Sequence, residues 1–449
     1  MEIGDVADYR TARSLYWAAA ANRPRRMPAR LAYSLLWLLA LPFVLLRLNW
    51  RARRQPGYLT DLRQRFARFD GPPPRKSIWL HAVSVGETRA AEPLVRALRT
   101  RWPDHTVVLT QMTPTGRETA QALFGADDGV RIVWLPYDLP FLARRFFAHF
   151  APRIGIVMET ELWPNTLLAA RAAGVPVLLA NARLSERSAQ RYARWPTLAA
   201  LTLGALDAVG AQTAGDAERL RGIGAQAVEI TGNVKFDIKP PAAQLELGAH
   251  FRAGFAGRPA LLAASTRDGE EALILDAFAQ QAPADALLVI VPRHPQRFDE
   301  VAALVATRGL KLARRSRGDA ITADTRVWLG DSMGEMFGYY AAADAALIGG
   351  SWLPFGGQNL IEACAVGTPV VIGPHTYNFL QVADQAVECG AARRAADAGT
   401  GMQAALELIA DPSAREQASQ AGLAFTAAHR GATEHTMHMI ENRLRNTRI

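Results

Sequence analysis

Cysteine is scarce: Cys364 and Cys389 are the only two in 449 residues, which leaves no basis for a disulfide framework or a Cys-based zinc site. A reducing, cytosolic setting fits that usage. No histidine or cysteine cluster has metal-ligand spacing, and the loops at strand ends carry no D-x-D. Neither G-x-x-x-x-G-K-[ST] nor a G-x-G-x-x-G after the first strand occurs, so a P-loop ATPase and a Rossmann dehydrogenase are disfavoured. Long low-complexity tracts are also missing. With hydrophobic residues at 49% and charged residues at 21%, the chain is expected to fold throughout, its ends aside.

What is present begins with size and charge. A chain of 449 residues is too long for one ordinary core, so two domains are expected. Lys and Arg outnumber Asp and Glu 51 to 42, and the excess gathers near the N-terminus, from Arg23 to Arg68. Nucleic acid, acidic lipid or an anionic substrate each explains such a cluster. Inside it lies "LAYSLLWLLALPFVLL", Leu31 to Leu46, a run without a charge. As a helix at ~1.5 Å per residue it is about 24 Å long, short of the ~30 Å hydrocarbon core. It begins too deep in the chain for an ordinary signal peptide. The choice is a short or tilted span or a helix in the interface, with Trp50 at headgroup level. A buried core helix is the alternative, and Pro42 is expected to interrupt it.

From Ile78 short apolar strands alternate with amphipathic helices, and the pattern restarts after "DIKPPAAQ". This predicts two α/β domains with parallel, doubly wound sheets, whose ligands bind at the carboxyl ends of the strands. The expected division is a basic extension at 1–30, an anchor at 31–50, domains at 51–240 and 241–430, and a tail helix at 431–449. The last helices, from about 403 to 445, are expected to pack back across the interface.

The unusual stretches sit at those strand ends. In "HAVSVGETRAAEPL" Ser84 and Glu87 have capping-box spacing, so Glu87 is read either as a helix cap or as a base. A glutamate in a first helical turn is expected to be held as an anion. In "METELWPN" Glu159 and Glu161 point to one side of an extended chain, with Lys235 of "GNVKFD" as a compensating charge. "NARLSERSAQRYAR" sets Arg183, Arg187, Arg191 and Arg194 near one helical face, a solvated surface or one that meets phosphorylated lipid. In the second half, Arg293 and His294 of "VPRHPQRF" can meet an anion. "GGSWLPFGGQNLIEACAVGTPVVIGP" gives glycines for close backbone approach, then a helix from about Leu360 with Asn359 and Glu362 as a capping box. A helix N-terminus of this kind suits the phosphate of a nucleotide donor.

Taken together with "MTPTG", "LPYDLP" and "MGEM", these stretches resemble the Kdo (3-deoxy-D-manno-octulosonic acid) transferases of lipopolysaccharide synthesis, in order over about residues 30 to 430. The resemblance implies a GT-B fold, two Rossmann-like domains with an interdomain cleft, and an N-terminal anchor in the inner membrane with the catalytic face in the cytoplasm. It implies CMP-Kdo as donor, bound by the 241–430 domain, the tetraacylated lipid A precursor lipid IVA as acceptor, bound by the 51–240 domain, and inversion without a metal or cofactor. The partners are then these two substrates and an anionic membrane surface, not nucleic acid. By motif match Glu87 is the general base, and Glu159 and Lys235 stabilise the transition state. Arg293, His294, Met333, Gly334, Glu335, Asn359, Leu360, Ile361 and Glu362 bind CMP, while Arg63 and Arg65 steer the glucosamine phosphates. Gln358, where the family commonly has histidine, and the apolar "SWLPF" are departures that touch fine donor contacts. The alternatives are a GT-B enzyme using a UDP-sugar on a lipid acceptor, or a non-catalytic membrane-attached relative.

Overall fold

The structure is a computed structural model that describes residues 23–53 and 55–446, with side chains from Pro28 onward to Arg445 apart from Arg54. Most of the expected basic extension, and Arg54, therefore lie outside the described residues. The chain forms two compact units, Met1–Asp237 with Arg430–Ile449, and Ile238–His429.

The first unit carries a parallel sheet of seven strands: β1 (Ser77–His81), β2 (Thr106–Gln111), β3 (Val130–Trp134), β4 (Gly155–Met158), β5 (Val177–Ala182), β6 (Ala208–Ala211) and β7 (Val228–Ile230). Their spatial order is β3-β2-β1-β4-β5-β6-β7, so the winding reverses between β1 and β4. The second unit repeats this with β8 (Ala260–Thr266), β9 (Leu287–Pro292), β10 (Leu312–Arg314), β11 (Val327–Leu329), β12 (Ala345–Ile348), β13 (Val370–Ile372) and β14 (Ala392–Arg394). Its order is β10-β11-β9-β8-β12-β13-β14, reversing between β8 and β12. Near-continuous burial of β1, β2, β4, β5 and β9 is what helices on both faces of a parallel sheet require. At each reversal adjacent crossovers leave in opposite directions and open a crevice above the strand ends.

The N-terminal helix, Arg23–Ala52, is longer than the uncharged run and passes through Pro42 unbroken. Its stretch Pro28–Ala52 is long and apolar enough to cross a membrane; at ~1.5 Å per residue those 25 residues span about 37 Å. Leu31, Leu35, Leu38, Leu39, Phe43 and Leu46 are exposed. Trp37, Leu41, Val44 and Leu45 instead pack against Tyr137, Leu139 and Leu142. A buried polar knot fixes that docking. Asp138 accepts hydrogen bonds from Tyr33 Oη (2.9 Å), the backbone amides of Asn165 (3.0 Å) and Thr166 (2.7 Å), and Thr166 Oγ1 (2.7 Å). Arg30 Nε donates to Asn165 Oδ1 at 2.9 Å.

Of the last helices, Ala398–Ala410 and Pro412–Ala428 stay in the second unit, and only Ala432–Asn446 belongs to the first. Its Met437, Ile440 and Leu444 join the core beneath Leu94, Val95 and Leu98 of helix Val85–Arg101. Asp237 accepts from the amides of Gly431 (2.6 Å) and Thr433 (2.5 Å), capping the helix where the chain returns.

Candidate active site

In the first unit the loops after β1 and β4, on either side of the reversal, carry the carboxylates. Ser84 caps helix Val85–Arg101, its hydroxyl accepting from Glu87 N and donating to Glu87 Oε1 at 2.9 Å. Val83 N donates to Glu87 Oε2 at 2.8 Å. The Val83 loop is pinned from the other side by Thr113 Oγ1, which donates to Val83 O at 2.9 Å. Gly116 makes that approach feasible, since a Cβ there would lie 2.9 Å from Val83 O and 2.6 Å from Gln111 Oε1. Glu87 therefore is a cap by geometry.

Its electrostatics do not follow from the cap. Glu87 is only 8% exposed, and burial pushes its carboxyl up to about 7, against the lowering hydrogen bond from Val83 and with Glu159 and Glu161 pushing the same way. This corrects the expectation of a carboxylate held firmly as an anion by the helix terminus: loss of hydration outweighs the dipole. A group so placed titrates where a general base is most effective. His81, on the strand just before, is fully buried and lowered to about 4 by that burial, so it stays neutral and structural.

Glu159 lies at φ 55, in the left-handed region disfavoured for a residue with a Cβ. Lys235 Nζ stands 3.5 Å from its Oε1, the pair expected from the sequence. Lys235 sits in the 3₁₀ turn Val234–Asp237, where Asn233 Oδ1 accepts from Lys235 N at 3.0 Å and Asn181 Oδ1 from Val234 N at 3.2 Å. Asn181 is itself buried at φ 54, and among the described residues its Nδ2 has no partner. Glu161, raised by burial and by Glu159, completes a group of three carboxylates with Lys235 as the nearby cation.

In the second unit the same architecture gathers a different chemistry. The stretches after β8 and β12 are joined by Glu270, which is fully buried and accepts from the amides of Arg267 (2.8 Å), Gly350 (2.6 Å), Trp352 (2.9 Å) and Leu353 (3.4 Å). Burial raises its carboxyl, and these amides oppose that shift. Its neighbour Glu271 accepts from Thr266 Oγ1 at 3.0 Å and pairs with Arg297 at 3.1 Å. Arg293 N donates to Thr266 O at 2.9 Å, so the loop after β9 is tied to the same strand end. His294 is lowered by burial and then by Arg267, Arg293 and Arg297, which marks a locally positive region around a neutral imidazole. Met333 is exposed, Gly334 takes φ +82, and Glu335 pairs with Arg315 at 3.0 Å while accepting from Ser332 Oγ at 2.5 Å.

Asn359 and Glu362 meet, though not as a capping box. Asn359 Oδ1 accepts from Ile361 N at 3.1 Å and its Nδ2 donates to Glu362 Oε1 at 3.2 Å, while the cap position is Leu360, without a side-chain bond. The helix is only the five residues Ile361–Ala365, so its dipole gives less than the sequence suggested. Arg65 also departs from its expected role. It is 2% exposed, with its guanidinium 4.0 Å from the Trp134 ring centroid and Nη2 donating to Met112 O at 3.2 Å, so it packs rather than steers. Arg63 is exposed.

A family model for 3-deoxy-D-manno-octulosonic-acid transferase (kdotransferase) matches residues 60–238. The chain is 49% identical over 408 residues to the 3-deoxy-D-manno-octulosonic acid transferase of Bordetella pertussis, covering 88% of this chain and 94% of that one. This chain belongs to the Kdo transferases. The corresponding Haemophilus influenzae enzyme is 35% identical over 421 residues, covering 92% of this Kdo transferase and 98% of its relative. Among solved structures, a glycosyltransferase from Rickettsia africae ESF-5 superposes with a TM-score of 0.58 at 12% identity, over 83% of this chain and 99% of that one. The UDP-GlcNAc 2-epimerase of Neisseria meningitidis gives 0.53 at 16% identity, over 82% and 100%. At such identities the likeness is one of fold, and the fold is GT-B. The Kdo transferase is thus a glycosyltransferase of lipopolysaccharide biosynthesis whose two sheets each present strand-end loops of distinct character.

Proposed function

We propose that this enzyme transfers Kdo from CMP-Kdo to lipid IVA, with inversion and without a metal, on the cytoplasmic face of the inner membrane. The observation that carries the reading is Glu87: a buried carboxyl at a sheet reversal, oriented by Val83 N and Ser84 Oγ and raised to about 7. An acceptor hydroxyl attacks the anomeric carbon of Kdo; its proton passes to Glu87 as the new C–O bond forms and the bond to the phosphate oxygen of CMP breaks. Proton loss becomes favourable only as that bond forms, so a base near 7 suffices. Glu159 and Lys235 balance the charge that shifts in the first unit. Arg293, His294, Met333, Gly334, Glu335 and the run Asn359, Leu360, Ile361 and Glu362 hold the nucleotide, with Arg293 and the loop amides taking the leaving charge.

The apolar helix and the family's place in lipopolysaccharide synthesis support membrane attachment and a lipid acceptor. The test combines detergent-solubilised protein, lipid IVA and CMP-Kdo generated in situ, with and without EDTA, and reads the lipid's mass. A gain of one or more Kdo units that survives EDTA is expected, and is lost in Glu87→Ala. Equal gain by that variant reduces Glu87 to a cap; no gain by wild type with CMP still bound points to another acceptor, and inhibition by UDP rather than CMP to another donor.

A further inference from the structure

The first unit contains a cavity of about 910 Å³ that the chemistry above leaves unused. Its walls come from three places: Tyr33 and Leu36 of the N-terminal helix, Leu162 and Trp163 of the segment after β4, and Tyr192 and Leu198 of the helices Glu186–Ala193 and Pro196–Leu203. The volume falls in the range of built ligand sites, roughly 300–1,000 Å³. We infer that this cavity receives an acyl chain of the glycolipid acceptor.

Three features converge on that occupant. The lining is mainly apolar, so ordered water would find few partners there and hydrocarbon would find many. Exposed Arg191 and Arg194 also line it, which matches an anionic lipid headgroup rather than a neutral apolar ligand. Leu36 belongs at once to the cavity and to the exposed apolar side of the helix that is long enough to cross a membrane, so the pocket adjoins a surface suited to lipid.

The cavity is also coupled to the carboxylates. Leu162 and Trp163 directly follow Glu161 in the chain, and burial together with the charge of Glu161 raises the hydroxyl of Tyr192, which also lines the cavity. Glu161 in turn acts on Glu87. The Asp138 knot keeps Tyr33 in place, so the pocket is preformed rather than assembled around its ligand. An acyl chain seated there would register the sugar of its own headgroup relative to Glu87. This inference rests on the lipid-acceptor reading above.

The test fills the pocket from its accessible side with Ala32→Trp and, separately, Thr197→Trp, in full-length protein in detergent. In each, the KM for lipid IVA is expected to rise about tenfold, equivalent to about 1.4 kcal/mol, while kcat and the KM for CMP-Kdo hold. An unchanged KM for lipid IVA, or an equal rise for both substrates, overturns the inference while leaving the transfer reaction standing. A lipid IVA analogue with a diazirine in one acyl chain gives a second readout that needs no variant: label is expected within residues 188–202 or 32–36 of wild type, and label confined elsewhere overturns the inference. If wild type proves unable to glycosylate lipid IVA, the functional reading fails separately and the labelling still decides the cavity. Equal labelling by a diazirine phosphatidylethanolamine would also overturn it, marking a site for bulk membrane lipid.

Discussion

Opposing influences act on the Glu87 carboxyl, and their balance decides the chemistry. The helix terminus, Val83 N–H and Ser84 O–H favour the anion, whereas burial and the neighbouring Glu159 and Glu161 disfavour it, and the second set wins. Since the base must be ionised, kcat/KM is expected to rise with pH through a limb near 7. Glu87→Gln should lower kcat by roughly 10²–10⁴-fold while the protein stays folded. Lys235→Met removes the cation 3.5 Å from Glu159, leaving more uncompensated negative charge near Glu87, so the limb should move to higher pH. The stability sign follows from the same shift. A carboxyl raised from 4.5 to about 7 on folding gives stability that is full below 4.5 and lost as pH rises through 7. The Tm of wild type minus that of Glu87→Gln should therefore fall across this window, and a flat difference would contradict the buried, protonatable Glu87. The Ser84–Glu87 spacing made the cap legible in the sequence. The pKa was not legible, because the groups that bury Glu87 and raise it come from strands and loops distant in the chain.

Two elements owe their placement to buried carboxylates that look unremarkable in sequence. Asp138, in "LPYDLP", reads as a turn residue, yet it holds the N-terminal helix through Tyr33 and satisfies the amides of Asn165 and Thr166. Asp138→Ala strands two buried N–H groups, a cost of roughly 3 kcal/mol or more, so Tm should drop by roughly 6–12 °C in a thermal scan of the detergent-solubilised protein. Tyr33→Phe removes only the helix's share and should cost far less. Glu270, in "STRDGEE", reads as an ordinary acidic first turn; besides the local amide of Arg267 it accepts from the amides of Gly350, Trp352 and Leu353, some 80 residues further on, which no local pattern reveals. Glu270→Gln places an amide donor against backbone donors and should open the Gly350–Leu353 segment, weakening CMP binding by about tenfold or more in calorimetric titration, the loss of roughly one charge-assisted hydrogen bond. Unchanged CMP affinity would mean that this segment does not contact the nucleotide.

At the scale of the whole molecule, the α/β alternation was legible wherever strands were apolar and β-branched, as in "LLVIVP" or "IWLH". The strands without that signal were not: Ala208–Ala211 is built of small residues, and Leu312–Arg314 and Ala392–Arg394 are three-residue edge strands defined only by their neighbours. Nor did periodicity show where the final helices belong, since each is amphipathic and what differs is the core each meets. The Asp237 cap and the apolar face of Ala432–Asn446 return the end of the chain to the first unit, so that unit is built from both ends of the sequence while the second is one continuous segment, Ile238–His429. Each unit has its own core and sheet, so ligand linkage can act on them separately. If the nucleotide is held by the second unit alone, CMP at 100-fold its Kd should stabilise that unit by about 2.7 kcal/mol. Amide exchange should slow in β8, β9 and Gly349–Glu362 and stay unchanged in β1, β4 and β5. Protection appearing equally in β1 and β4 would show that the nucleotide also engages the Glu87 and Glu159 loops, and the assignment of donor and acceptor to separate units would have to be redrawn.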